Sequence, residues 1–213
     1  MRSSRTTRGS RTSGPSSRGT AKARSASLRR WLADRGSELD QLEGAHSAVG
    51  GASAGRRWTT QQINHAYAVL LCSQFQGFCR DLHSESVDHI VGSISPTILQ
   101  TALRAEFVFA RKLDRENPNP RSLGSDFNRL GLSFWTEVGK DDARNKARKV
   151  KLEKLNLWRN AIAHQDFDPA RLGPRGLTLG EVRSWRRACD GLAGSFDRVL
   201  KRYLTSISRR SPW

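Results

Sequence analysis

The sequence predicts an all-α fold, a helical bundle of about five to six helices. Apolar residues recur at three- and four-residue steps along most of the chain, which is the period of an amphipathic helix. Segments with the alternating pattern of a strand are nearly absent, and runs rich in Gly and Pro separate the helical stretches. In such a bundle, neighbouring helices are expected to run mostly antiparallel. We place this helical domain at residues 27–208.

The segment before the domain, residues 1–26, predicts a disordered basic tail. It is rich in Arg, Ser and Gly and contains almost nothing that a core could bury. Residues 1–33 contain nine Arg or Lys and no Asp or Glu. Three roles stay open for the tail. It could be an arm that binds RNA phosphates without sequence preference, an organellar transit peptide, or a solvated extension that aids solubility.

The charge of the whole chain points in the same direction as its tail. A formal net charge of +17 favours an anionic partner, and RNA or DNA is the commonest one. Arg supplies 29 of the 37 basic residues, however, and such a bias can arise from genome composition. Charge is therefore a reason to look for a nucleic-acid site and does not by itself demonstrate one.

The apolar segments exclude a membrane span. The longest apolar run covers only residues 66–72, and no secretory signal pattern follows Met1. Cys72, Cys79 and Cys189 form no metal-ligand spacing, so we expect small buried thiols. These features indicate a soluble, cytoplasmic protein with no metal and no cofactor.

The first two helices are predicted from apolar stripes. One covers residues 27–46, and Gly-rich sequence follows it. Thr59 or Thr60 caps the second helix, whose apolar positions continue to about Val91. Because this second helix is the most apolar of the chain, we expect it to lie at the centre of the bundle.

The middle of the chain gives three further helices. Ser95 and Pro96 have the pattern of an N-cap and a first helical residue, and the third helix is expected to reach about Arg115. A weaker helical pattern covers residues 122–138. A long helix is then predicted from about Asp141, with acidic residues at its N-terminus.

The last predicted helix has the clearest start signal. Thr178 and Glu181 form a T-x-x-E capping box, and apolar residues then recur at three- and four-residue steps to about Ile207.

The long helix that precedes it contains the segment LNLWRNAIAHQDF, which has polar residues on an otherwise apolar pattern. At about 100° per residue, Leu155, Trp158 and Ile162 cluster on one side and define the buried face. Asn160 and His164 lie together on nearly the opposite side. These two residues are therefore expected to face away from the core of their own protomer.

Arg159 completes a set of polar residues suited to phosphodiester chemistry. It falls between the two faces, and its long stem lets the guanidinium reach either one. His164 can exchange protons near neutral pH, Arg159 matches phosphate oxygens, and Asn160 can donate to phosphate or orient the imidazole. Together they suit cleavage of RNA by its own 2′-hydroxyl without a metal. Polar residues are common on the solvent-exposed face of a helix. The spacing alone therefore favours an ordinary exposed face over a functional site.

The same helix face carries features of a contact surface. Lys146 and Lys149 lie on the side of Asn160, where they are either solvated or guide RNA phosphates. Val150 and Leu157 lie at the edge of that side. A two-fold homodimer along this helix would bring two copies of the motif together.

The segment LWRNAIAH resembles the R-N-x-x-x-H signature of the HEPN superfamily, and the order of helices from Thr59 to Leu204 is similar too. The resemblance implies a helical homodimer whose composite cleft cleaves RNA without metal, in a defence, toxin–antitoxin or stress system. The catalytic residues would be Arg159, Asn160 and His164. A toxin branch of the superfamily has tyrosine where this chain has Asp166, which argues against that branch. Any antitoxin or other partner would be a separate protein. The alternative is a catalytically silent HEPN module that binds nucleotide or RNA, or serves assembly.

Other candidate residues have simpler explanations. His65, His83 and His89 lack ligand spacing to one another and are interpreted as packing or surface residues. Arg80 and Asp81 are the pair that a bundle could bring close to the motif helix.

Overall fold

The computed structural model describes residues 23–49, 57–173 and 175–213, and within these ranges every regular element is helical. The predicted all-α bundle is confirmed. Residues 1–22, which make up most of the predicted basic tail, lie outside the described residues.

The first predicted helix is present and contains a wider turn. α1 (Ala26–Arg30) passes through a π-helical turn (Trp31–Arg35) into α2 (Gly36–Val49). The side chain of Ser25 caps α1 by accepting the backbone N–H of Leu28 at 3.0 Å.

α3 (Arg57–Val91) lies at the centre of the bundle, as its apolar sequence predicts. It packs against α2, α7 (Asn145–His164) and α9 (Leu179–Ser208). Five of its large side chains are fully buried: Tyr67, Leu71, Phe75, Phe78 and Leu82. All three cysteines are buried free thiols, as expected.

α9 closes the bundle and begins at the predicted capping box. The Thr178 hydroxyl accepts the backbone N–H of Glu181 at 3.3 Å, and the Glu181 carboxylate accepts the Thr178 N–H at 3.0 Å. The inward side of α9 is apolar along its length, with Val182, Leu192, Phe196 and Leu200 buried.

The prediction for the third helix is wrong at both ends. α4 (Thr97–Val108) ends well before Arg115, and Pro96 is its N-cap rather than its first residue. Tertiary contacts explain the early end. Arg111 is buried and donates to the carbonyl of Arg80 at 3.2 Å and to Ser84 at 3.0 Å, so the chain turns back along α3. A short 3-10 turn (Lys112–Asp114) follows.

The predicted helix over residues 122–138 is two helices, α5 (Pro120–Asn128) and α6 (Phe134–Asp141). The chain reverses between them at Gly131, whose φ of 93° is a left-handed conformation that glycine tolerates.

The start of the motif helix also needs correction. α7 begins at Asn145, and Asp141 is the last residue of α6, where its carboxylate pairs with Arg198 and Arg202 at 2.6 and 2.7 Å. Asp142 does serve the beginning of α7, because its carboxylate accepts the backbone N–H of Arg144 at 2.9 Å.

Two smaller facts complete the fold. A short helix, α8 (Pro169–Leu172), lies between α7 and α9. Among the described residues, no helix combines the length and the apolar composition that crossing a bilayer requires.

Candidate functional site

The buried side of α7 is the predicted one. Leu155 and Trp158 are buried and Ile162 is half-buried against the core. The helix ends after His164 because Gln165 takes a left-handed conformation with φ of 55°. These contacts fix the direction in which the three motif residues point.

Asn160 lies in a different environment from the one that the helical projection predicts. It is half-buried, because the segment between the 3-10 turn and α5 covers it. The Nδ2 of Asn117 donates to the Oδ1 of Asn160 at 2.6 Å, and Arg159 donates to the same oxygen at 3.4 Å. Asn160 therefore points away from the apolar core but is held within its own protomer.

Asn156 is a residue of this site that the sequence interpretation missed. It lies one helical turn before Asn160 and is buried. Its Nδ2 donates to the carbonyls of Leu152 at 2.8 Å and Pro118 at 3.3 Å, and its Oδ1 faces the thiol of Cys72 at 3.8 Å. Asn156 thus joins the motif helix to α3 and to the segment over Asn160. The available signal was its four-residue spacing from Asn160.

A polar pocket of about 310 Å³ lies between α7 and the segment that covers it. Its lining is almost entirely polar and comprises Arg115, Glu116, Asn117, Asn119, Asn156, Arg159 and Asn160. The carboxylate of Glu116 accepts a hydrogen bond from Ser122 at 2.5 Å. In the described part of the chain, no carboxylate lies within ion-pair distance of Arg115 or Arg159. The pocket therefore holds two guanidinium groups and the Glu116 carboxylate, and neither guanidinium makes a direct ion pair with an acidic side chain of the described residues.

The positive charge of Arg159 affects the pKa of Cys72, a residue of α3. Burial raises the pKa of the Cys72 thiol to about 12, and the positive charge of Arg159 partly opposes this increase. The thiol is therefore neutral at physiological pH and is not a nucleophile in this site.

His164 lies at the last position of α7 and is exposed to solvent. Within the described ranges its imidazole has no hydrogen-bond partner. Asp166, at the position where a toxin branch has tyrosine, is exposed and pairs with Arg171 at 3.5 Å. The imidazole is thus accessible to a ligand that approaches the C-terminal end of α7.

The two predicted RNA-binding lysines lie towards the other end of the same helix. Lys146 is exposed, and the Lys149 ammonium lies 5.0 Å from the centre of the Trp135 ring. Both line a pocket of about 400 Å³ between α6 and α7. Lys149 precedes Asn160 by 11 residues, which is roughly 16 Å along the helix axis. The lysines therefore do not touch the motif.

Val150 and Leu157 remain exposed on α7, with 50% and 37% of their surface accessible. The contact surface that they were predicted to form stays a prediction. Their positions on the helix leave both side chains available to a second protein chain.

His65, His83 and His89 make packing contacts, as expected. His65 stacks on Phe167, and His89 bonds to Ser208 at 2.8 Å. His83 is buried against Phe127, and burial, followed by the charge of Arg111, lowers its pKa to about 4.

Asp81, which a bundle could have brought close to the motif helix, does not approach it. The Asp81 carboxylate pairs with Arg30 and Arg35, each at 2.7 Å, so it faces the first helices rather than α7. Residues 23–49, 57–173 and 175–213 contain no group of three His, Cys, Asp or Glu side chains placed to hold a metal ion.

The fold and the motif together define a HEPN-type helical domain. The model of the RiboL-PSP-HEPN family matches residues 32–202, and the chain belongs to this family. Comparisons with curated proteins and with solved structures gave no match.

Proposed function

We propose that the protein is an endoribonuclease that cleaves RNA without a metal at the pocket formed by the motif helix. One observation carries this proposal. Arg159 lacks an acidic partner in the described ranges and shares a polar pocket with Asn160, while the accessible imidazole of His164 lies one turn further along α7. An uncompensated guanidinium beside polar amides suits a phosphate group.

The chemistry follows from the groups that are free. His164 removes the proton of a 2′-hydroxyl, whose oxygen attacks the adjacent phosphorus while the bond to the 5′-oxygen breaks. The imidazolium formed on His164 then gives its proton to the departing 5′-oxygen, so the products are a 2′,3′-cyclic phosphate and a 5′-hydroxyl. Arg159 stabilises the negative charge that develops on the phosphorane. The oxygen of Asn160 accepts from Asn117, which leaves its amide nitrogen to donate to a phosphate oxygen.

A homodimer through α7 would complete the site. Val150 and Leu157 supply exposed apolar surface on this helix, and a two-fold axis there would place two motifs around one RNA strand. Lys146 and Lys149 would then guide the phosphates that lead to the motif. We extend the proposal to a cytoplasmic protein of a defence, toxin–antitoxin or stress system with a separate partner protein, which is what the resemblance of the R-N-x-x-x-H motif to the HEPN superfamily implies.

A catalytically silent HEPN module is the second candidate. It is favoured by the environment of His164, because no described side chain orients the imidazole. In that case the polar pocket would bind nucleotide or RNA without cleaving it, or α7 would serve assembly.

Cleavage of single-stranded RNA in EDTA distinguishes the two candidates. The enzyme should yield 2′,3′-cyclic phosphate ends, and His164→Ala and Arg159→Ala should each lower the rate by at least about a hundredfold. Arg187→Ala is the charge-matched control, because Arg187 is exposed on α9. Absence of cleavage by the unaltered protein, or cleavage that persists in His164→Ala, would contradict the proposal.

The composite site has its own test. Leu157→Glu should convert the dimer into monomers in analytical ultracentrifugation and abolish cleavage, whereas Lys151→Gln, an exposed change on the other side of the same helix, should do neither. An active monomeric Leu157→Glu protein would exclude the shared site.

A further inference from the structure

Three aromatic rings meet beside the C-terminal end of α7. His65 of α3 and Phe167 stack with ring centres 5.3 Å apart and planes 16° from parallel. Trp158 of α7 lies 6.2 Å from His65 and 6.4 Å from Phe167. The Trp158 ring is buried, whereas Phe167 keeps 40% of its surface exposed. The stack therefore presents an accessible aromatic surface to solvent.

A pocket of about 290 Å³ opens beside these rings. Gln61, Leu172 and Arg175 contribute to its wall together with the aromatic side chains. The amide nitrogen of Gln61 lies 2.9 Å from the Nε2 of His65, so a side-chain amide and an imidazole edge meet there. Burial lowers the pKa of His65, which keeps its ring neutral near pH 7. The wall thus combines ring faces with groups that donate and accept hydrogen bonds.

This pocket lies close to the proposed reacting histidine. Phe167 follows His164 by three residues, so their Cα atoms are at most about 11 Å apart. A strand of RNA held at Arg159 and His164 would therefore reach the aromatic pocket within one or two nucleotides.

We propose that the aromatic pocket formed by His65, Trp158 and Phe167 binds a nucleobase of the RNA strand, next to the phosphate held at the motif. The inference rests on the proposed function, because the motif supplies the phosphate site. Single-stranded RNA is bound by stacking its bases on aromatic rings and by hydrogen bonds to their edges. The exposed part of the Phe167 ring offers a surface for stacking, and the Gln61 side chain offers hydrogen bonds to the edge of the base. Arg175 places a positive charge on the same wall, which favours a nucleotide over an apolar peptide side chain.

The test measures binding in the His164→Ala background, where cleavage does not interfere. The probe is a fluorescein-labelled RNA hexanucleotide of mixed sequence, with a set of versions that each lack one base. Phe167→Leu should weaken binding of the intact RNA by about tenfold, because leucine fills space but offers no ring for stacking. At one position, removal of the base should cause a similar loss, and Phe167→Leu should then have no further effect.

A matched control and two outcomes make the result decisive. Phe109→Leu makes the same change in a more exposed ring at the end of α4 and should leave binding unchanged. Equal weakening of the intact RNA and of every abasic version by Phe167→Leu would overturn the proposal, since the ring would then serve packing alone. An unchanged RNA affinity of the Phe167→Leu protein would also overturn it, and a protein partner would then be the alternative occupant of the pocket. Neither result depends on cleavage, so failure of the ribonuclease proposal would be seen separately in EDTA assays of the unaltered protein.

Discussion

Asn156→Ala tests whether the motif helix depends on the segment that covers it. The substitution removes the hydrogen bond to the carbonyl of Pro118 and leaves that buried oxygen without a donor. An unsatisfied buried carbonyl costs about 1–3 kcal/mol, and the small cavity adds about 1 kcal/mol. The carbonyl of Leu152 also loses the hydrogen bond from Asn156, but it still accepts a backbone N–H within the helix and so keeps one donor. We expect the free energy of unfolding to fall by about 2–4 kcal/mol.

Urea denaturation followed by circular dichroism measures this change in the free energy of unfolding. In a thermal melt, the Tm should fall by about 5–10 °C. Glu153→Ala is the control, because Glu153 is exposed on the same helix. Below the transition, Asn156→Ala should also lose RNA cleavage, since Asn117 is no longer fixed over Asn160. A loss of stability smaller than about 0.5 kcal/mol would refute the reasoning, because a buried bridging amide cannot be that dispensable.

Two further predictions concern charge. Replacing Lys146 and Lys149 together by Ala should reduce the slope of the logarithm of the RNA-binding constant against the logarithm of salt concentration by about 1.4, measured with single-stranded RNA. The same change at Lys151 and Lys154, on the other side of α7, should leave this slope unchanged. The second concerns His83, whose pKa is about 4 in the folded protein and 6.5 ordinarily. As the pH falls, the imidazole of His83 is protonated in the unfolded chain before it is protonated in the folded protein, so the free energy of unfolding should fall between pH 6.5 and 4. In urea titrations, His83→Gln should reduce this dependence of the unfolding free energy on pH by up to about 1.4 kcal/mol per pH unit.

Local signals explain which elements were predictable from the sequence. The capping box at Thr178 and Glu181 starts α9 where it was expected, because both partners lie within one turn. The buried face of α7 was also predictable, since Leu155 and Trp158 follow helical periodicity. The family match agrees with the resemblance carried by the motif.

Contacts between distant segments explain the rest. The end of α4 depends on Arg111, which contacts α3 residues 27 to 31 positions earlier, and no local pattern encodes that contact. Asn117 meets Asn160 across 43 residues, so the helical projection alone left Asn160 facing outward. The aromatic pocket likewise joins His65 of α3 to Phe167, which lies after α7. Helical periodicity describes one face of one helix, whereas a site of this kind is made by the segments that fold over it.

The central claim is that the 2′-hydroxyl of RNA is the nucleophile at the motif of α7. The most direct measurement maps one cleavage site and repeats the assay in EDTA with a single 2′-deoxynucleotide immediately 5′ of the scissile phosphate. This one change should stop cleavage at that site, and His164→Ala should do the same with the all-RNA substrate. Continued cleavage of the 2′-deoxy substrate, or a linear 3′-phosphate formed without a cyclic intermediate, would contradict it.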